Sequence, residues 1–293
     1  MKPRRLSLAL FVMTVTIAAS AQYFPSNKVR PDDGISPSLV KAGLYVFTGK
    51  GNNSLLRLSA NGLIVVDGKL PGSYDDLVAR VEKTSRQPIR CLILTDSSEA
   101  SAANAVNFLK NGTVVILQQN LAEKFIATNF QGKAPAGLVT YDREYQIHMG
   151  GIEAQLMHFG KAYSNGDTVV YFPNLKTIAL GNLYAVTPNP NFAAGGSLVQ
   201  WPLVLEQVLR LDFDTAVPAN GPAISKAELQ SFEAKLYRLT ERARRLVNDG
   251  VSKDQLLSQL NTNDLGWNLD FTPEQLDRFY MELSRTEQFT SGK

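Results

Sequence analysis

The stretch over residues 90–109, RCLILTDSSEASAANAVNFL, constrains the fold more than any other part of the chain. Cys91, Leu92, Ile93 and Leu94 form an unbroken apolar run, short enough for a strand buried on both faces. The run stops at Thr95 in a polar loop, and small residues lead on into a helix. In an α/β protein the loop at the carboxyl end of such a strand is where ligands usually sit. The spacing therefore places a site directly after Thr95.

The flanking pattern supplies the rest of the architecture. Residues 44–48, 54–58 and 63–66 read as a small antiparallel meander around the Gly49-Lys50-Gly51-Asn52-Asn53 and Asn61-Gly62 turns. Tyr74, Leu77, Val78 and Val81 then repeat at helical spacing and feed the Cys91 strand. A helix over about residues 102–110, with Ser101 as its N-cap, sets Ala105, Val106, Phe108 and Leu109 inward until Asn111-Gly112 stops it. A strand over 113–117, a helix over 121–130 and a hairpin over 145–159 around Gly150-Gly151 follow. Alternating strands and helices imply a sheet with helices packed on it.

The motifs after these strands resemble the metallo-β-lactamase superfamily. There a strand ends in Thr-His-x-His-x-Asp-His and runs through small residues and an Asn into a helix. Here Thr95, Asp96, Ser98, Ala100, Ser101 and Asn104 stand in that frame. Lys161 to Asp167 looks like the family's His-Thr-x-Gly-Asp segment, with Tyr163 in the His position. Ile178 to Leu183 looks like the strand ending in Gly-Asp, with Asn182 for the metal-bridging Asp. Val217 to Pro222 looks like Pro-Gly-His-Gly-Pro, with Asn220 for the last His. Scaffold residues are kept: Asp67, Thr95, Asn104, Gly166-Asp167, Gly181 and Gly221-Pro222. The resemblance implies an α/β (α+β) fold, a four-layer αββα sandwich with a C-terminal helical extension.

The same resemblance implies zinc as the family norm, but the zinc ligands are replaced. The family's dizinc site uses about five histidines with carboxylate support, and this chain has two in all, His148 and His158. His148 falls on the solvent side of the hairpin pattern, and His158 reads as a satisfied core histidine. The expectation is that the chain holds no metal and no cofactor. Asp96, Ser98, Ala100, Ser101, Tyr163, Asn182 and Asn220 would then line a polar cleft without imidazole or thiolate.

Residues 1–21 read as a secretory signal: Lys2, Arg4 and Arg5, an apolar stretch over 6–19, and Ala19-Ser20-Ala21 for cleavage. That stretch is too short for a span, so export to the periplasm or outside the cell is expected, with no stable membrane span after cleavage. The formal charge of +3 equals the three basic residues of this segment, which leaves the remainder near neutral and removes any case for a nucleic-acid partner. Cys91 is the one cysteine, so no intrachain disulfide forms. Residues 22–38 read as a loose lead-in, 39–226 as the metallo-β-lactamase-like domain and 227–293 as a helical segment. A capping box at Ser225-Lys226-Ala227-Glu228 leads into that segment, and a second box stands at Thr272-Pro273-Glu274-Gln275. Its apolar stripes suit packing on the main domain or a subunit interface; the oligomeric state stays open. In the loop over 187–202, Trp201 is expected on the core and Phe192 to pin the loop.

The functional expectation is a non-catalytic protein that binds an unidentified small molecule or protein partner, or is structural. The alternative is a hydrolase of the same superfamily. It would use either oxygen ligands for Mg²⁺ or Ca²⁺ from Asp96, Glu99, Asn182 and Asn220, or Ser98 or Ser101 as a metal-free nucleophile.

Overall fold

The computed structural model describes residues 34–285. The expected signal segment and most of the expected lead-in lie outside the described residues. One sheet runs, in spatial order, β1 (Ser36–Lys41), β2 (Leu44–Thr48), β3 (Ser54–Ser59), β4 (Gly62–Val66), β5 (Ile89–Ile93), β6 (Val114–Gln118) and β7 (Leu138–Tyr141). It is antiparallel from β1 to β4 and parallel from β4 to β7. The helices of its parallel half are α1 (Tyr74–Thr84), α2 (Glu99–Ala102), α3 (Ala105–Lys110) and α4 (Gln119–Phe130).

The second sheet consists of β8 (Glu144–Met149), β9 (Ile152–Met157), β10 (Val169–Phe172), β11 (Thr177–Gly181), β12 (Thr215–Pro218) and β13 (Ile224–Ser225), again in chain order across the sheet. Only β11 and β12 pair in parallel, and α5 (Trp201–Leu209) connects them. Helices α6 (Lys226–Asn248), α7 (Lys253–Gln259) and α8 (Pro273–Ser284) complete the chain. Among the described residues no helix is long and apolar enough to cross a membrane.

Period-two alternation along each strand divides the apolar residues into three layers. Ile64, Val66, Ile93 and Ile116 of the first sheet meet Val170, Phe172, Ala179 and Val217 of the second, and this is the core between the sheets. Leu63, Val65, Leu92, Leu94, Val115 and Leu117 face the other way, onto Leu77 and Val81 of α1, Phe108 of α3 and Leu121 and Phe125 of α4. Val169, Tyr171, Ile178 and Ala216 face outward onto Trp201 and Leu205 of α5. The stripe of α6 joins that same layer through Leu229, Phe232, Leu236, Leu239 and Ala243, as do Leu256 of α7 and Phe279 of α8. The C-terminal stripes are thus spent on the body of this chain. The result is the αββα sandwich, with its helical extension laid on one outer face.

The α6 and α8 capping boxes form as the sequence predicts, with Ser225 Oγ accepting from Glu228 N and Thr272 Oγ1 from Gln275 N. Four expectations need correction. The lead-in ends earlier than residue 38, because Ile35 is buried and Ser36 opens β1 against β2. The helix over 102–110 is broken between Ala102 and Ala105. Asn104 causes the break: its side-chain amide donates to Gly68 O, Lys69 O and Leu70 O at 2.7, 3.3 and 2.9 Å. Ser101 therefore lies inside α2, fully buried, and Ser98 takes the N-cap position in extended conformation. Cys91 is half-buried, since β5 begins at Ile89 and only its later half is covered on both faces.

Candidate functional site

The parallel strands β4, β5, β11 and β12 end on the same side of the sandwich, and the loops that leave them carry the polar residues singled out by the sequence. At the end of β4, Asp67 adopts a left-handed backbone with φ +63°. Its carboxylate accepts from Thr95 N at 2.9 Å and from Thr95 Oγ1 at 2.7 Å, which fastens β4 to β5. Burial pushes this carboxyl well above the usual range, the neighbouring Asp96 charge adds to the push, and the Thr95 donors oppose it. Across from it Gly181 ends β11 at φ +53°, and a Cβ there would lie 2.4 Å from Thr95 Oγ1. Only glycine lets the two strand ends approach this closely.

Lys69, two residues beyond Asp67, is wholly enclosed and also left-handed, at φ +70°. Its ammonium donates to Phe47 O at 2.6 Å and to Asn52 O at 2.5 Å. Burial pulls it down to about 7, with Asp67 pulling the other way. Two non-glycine residues held left-handed in one buried loop cost roughly 1–3 kcal/mol each, so the surrounding bonds must over-determine the shape. They do: Lys69 ties the β2–β3 turn to the β4 loop. Asn53 carries the tie onward, donating to Pro218 O and Gly221 O at 2.9 Å each.

Asn52 is thereby placed among the polar residues that the motif spacing singles out. It donates to Ser101 Oγ at 3.1 Å, accepts from Asn220 Nδ2 at 3.1 Å, and Ser98 Oγ reaches the same Ser101 hydroxyl at 3.2 Å. A second branch centres on Asp96, which is buried. Its Oδ1 accepts from Ser98 N at 2.6 Å, and its Oδ2 accepts from Asn182 Nδ2 at 2.8 Å. Five of the seven sequence-derived positions, Asp96, Ser98, Ser101, Asn182 and Asn220, are thus joined in one hydrogen-bonded chain. Ala100 contributes a half-buried methyl. Tyr163 stands beside the network: burial first and then Asp96 and Asp167 push its phenol up, with Asn191 opposing, and its ring meets Trp201 edge-on at 6.5 Å.

The remaining candidates are placed elsewhere. Glu99 is exposed, and His148 is exposed on β8. His158 is half-buried with Nδ1 2.9 Å from Asp167 O. Trp201 is buried and donates Nε1–H to Leu183 O, and Phe192 is buried against Phe271. Two residues of the site were not visible in the sequence, Asn52 and Lys69. Asn52 sits in a Gly-Lys-Gly-Asn-Asn turn that reads simply as a turn, and a lone lysine carries no signal for burial.

The fold implies a zinc pair, and the donors at this place can be tested against it. Zinc takes imidazole nitrogen, thiolate or carboxylate. At the seven motif positions there is one carboxylate, Asp96, with both oxygens engaged, together with amides, hydroxyls and a methyl, and the Asp67 carboxylate behind it is taken up by Thr95. Among the described residues no three His, Cys, Asp or Glu side chains gather to hold a metal ion. The residues present do not fit the zinc pair.

Comparison with solved structures fits this architecture. A metallo-beta-lactamase from Pontibacter korlensis superposes with TM-score 0.61 at 18% identity, covering 69% of this chain and 98% of that one. The metallo-beta-lactamase FIM-1 from Pseudomonas aeruginosa, in its mono-zinc form, gives 0.60 at 18%, covering 71% and 97%. The inverting sec-alkylsulfatase Pisa1 from Pseudomonas sp. gives 0.61 at 14%, covering 84% of this chain and 47% of that protein. This chain has the metallo-β-lactamase fold. Among curated proteins, the 2,4-dinitroanisole O-demethylase subunit alpha of Nocardioides sp. (strain JS1661) is 21% identical over 146 residues. That match spans 50% of this chain and 44% of the relative's length. No protein-family model matches the chain.

Proposed function

We propose that this protein is an exported, non-catalytic representative of the metallo-β-lactamase fold, a binding or structural protein whose hydrolytic centre has been replaced by a closed hydrogen-bond network. The observation that carries this reading is saturation. The buried polar atoms of Asp67, Lys69, Asp96, Ser101 and Asn104 all have protein partners. A hydrolytic centre keeps a coordination position or a nucleophile free for substrate; a saturated network holds the strand ends together instead. The relatives' names keep hydrolase chemistry in view as the second reading. Against it, Ser98 and Ser101 are bonded to each other, and neither has an imidazole among its partners. Export rests on the pattern over residues 1–21 alone.

The test is metal content by mass spectrometry on protein purified without chelator and challenged with Zn²⁺, Mn²⁺, Mg²⁺ and Ca²⁺, alongside a screen of ester, amide and sulfate substrates. Substoichiometric metal and no turnover are expected. Near-stoichiometric retention that disappears in Asp96→Ala would overturn the reading. N-terminal sequencing of protein recovered from the medium or periplasm is expected to start at Gln22.

A further inference from the structure

Away from the strand ends, the loop over 191–200 and one face of α8 enclose a hollow of about 220 Å³. Its wall carries Lys161, Arg278 and Arg285, and Glu282 stands among them. None of these four forms an ion pair among the described residues, although other surface cations of the chain, such as Arg242 and Lys253, do. Glu282 Oε2 is enclosed and has no hydrogen-bond partner. Phe192, Val199 and Met281 add apolar surface to the same wall. Clefts for drug-sized ligands run to roughly 300–1,000 Å³, so a single small molecule fits this one.

We propose that this hollow is a binding site for a small zwitterion of the α-amino acid type. The carboxylate would lie against Arg278, Lys161 and Arg285, the ammonium against Glu282, and a short apolar tail against Phe192, Val199 and Met281. Three cations facing one acid call for an anion. The unpartnered carboxylate oxygen calls for a donor as well, which a simple anion does not bring. The terminal torsion of a Glu side chain is soft, so turning the enclosed oxygen into the hollow requires no change of backbone. Burial holds Glu282 above the usual carboxylate range; the nearby Ser197 hydroxyl and Val199 N–H, and then the Lys161 and Arg285 charges, oppose this without partnering Oε2, and an arriving ammonium would restore its charge.

This hollow also borders the Tyr163 segment. The loop that forms its wall is stitched to the Tyr163 segment, with Asn191 N donating to Tyr163 O at 2.7 Å and Ser197 N to Ala162 O at 2.8 Å. Gly196 is pressed against Tyr163 O so closely that a Cβ would come within 2.2 Å. The proposal stands independently of whether the strand-end site holds metal.

The experiment is calorimetric titration of the full mature chain with three probes of matched length: norleucine, hexanoate and hexylamine. Norleucine is expected to bind at least tenfold more tightly than either. Lys161→Gln and Arg278→Gln, both on exposed positions, should each weaken it several-fold, and Glu282→Gln should abolish its advantage over hexanoate. Asp96→Ala should leave it unchanged, which separates this site from the strand ends. No detectable norleucine binding, equal affinity for norleucine and hexanoate, or affinity unchanged in Arg278→Gln would each overturn the proposal.

Discussion

At the strand ends, Asp96, Asn182, Ser98, Ser101, Asn52 and Asn220 pass hydrogen bonds from one to the next. Beside α8, Lys161, Arg278, Arg285 and Glu282 share one hollow without pairing among the described residues. Both places are rich in polar side chains, and only the first lies where the fold conventionally puts its chemistry. Satisfied polar groups in a buried place stabilise that place and ask nothing of a ligand. Unpaired charges at a surface hollow do little for stability and are free to meet a partner. Location in a fold therefore does not tell which of two polar clusters binds; the hydrogen-bond accounting does. Substitutions at the strand ends should cost stability, and substitutions beside α8 should not.

The largest effect is expected at Lys69. Lys69→Met keeps most of the volume but removes the donor from Phe47 O and Asn52 O, two buried carbonyls. At about 1–3 kcal/mol for each group left unsatisfied, the loss should be roughly 3–5 kcal/mol in urea denaturation. A loss under about 1 kcal/mol would mean that the β2–β3 turn is not held from below, and the contrast between the two places would fail at its strongest point.

A pH effect of similar origin comes next. Asp167 is fully buried, accepts from Ser164 N and Oγ, and is pushed up to about 8 by burial, with Ser164 opposing. Asp67 is shifted in the same direction. Above the unfolded value of 3.8, the folded chain keeps protons that the unfolded chain releases. Stability is then fully present below that value and is lost as pH rises toward about 8, by at most ~1.4 kcal/mol per pH unit for each group. Lys69, lowered to about 7 from 10.5, acts in the opposite sense and adds stability as pH rises through that interval. Denaturation midpoints should therefore fall between pH 5 and about 7 and turn upward above about 8. Asp167→Asn should flatten the falling limb; an unchanged slope would assign it to other groups.

The sequence made the fold legible because its signals are local and redundant. Alternation in β4, β5, β10 and β11 sorts residues such as Leu63 and Ile64 to opposite faces, and the boxes at Ser225 and Thr272 mark helix starts unaided. Motif spacing puts Asp96, Asn182 and Asn220 each just after a strand end, and the structure joins them in one hydrogen-bonded network. What could not be read is long-range. Asn52 and Lys69 matter because a turn some 50 residues before Ser101 folds over it, and neither residue differs locally from a turn or surface residue. Ser101 was misplaced at a helix start for the same reason. The break at Asn104 depends on carbonyls more than 30 residues earlier, a partner that no local pattern announces.

Asn52→Ala should cost about 1–2 kcal/mol, because it removes the link between Ser101 and Asn220 while leaving the Lys69 contact to the Asn52 carbonyl in place. That is the value of one bridging amide, and it should be lost additively with nothing beside α8. A double variant with Arg278→Gln checks the additivity by thermal denaturation.

The smallest effect, and the one of opposite sign, is expected at Glu282. Its Oε2 is enclosed without a partner and burial disfavours its charge, so Glu282→Gln removes an unfavourable group. The Ser197 hydroxyl and Val199 N–H, and then the Lys161 and Arg285 charges, favour the carboxylate and offset part of that gain. The net change should be a slight rise in thermal midpoint, within about 0.5 kcal/mol, as for surface positions outside any network. Adding norleucine should raise the midpoint of the unaltered chain more than that of Glu282→Gln, since the shift follows the affinity of the ligand for the folded state. A fall of 1 kcal/mol or more in ligand-free Glu282→Gln would instead mean that Ser197, Val199 N–H, Lys161 and Arg285 already serve this carboxylate as internal partners. The α8 hollow would then be saturated as the strand ends are, and the difference between the two places would vanish.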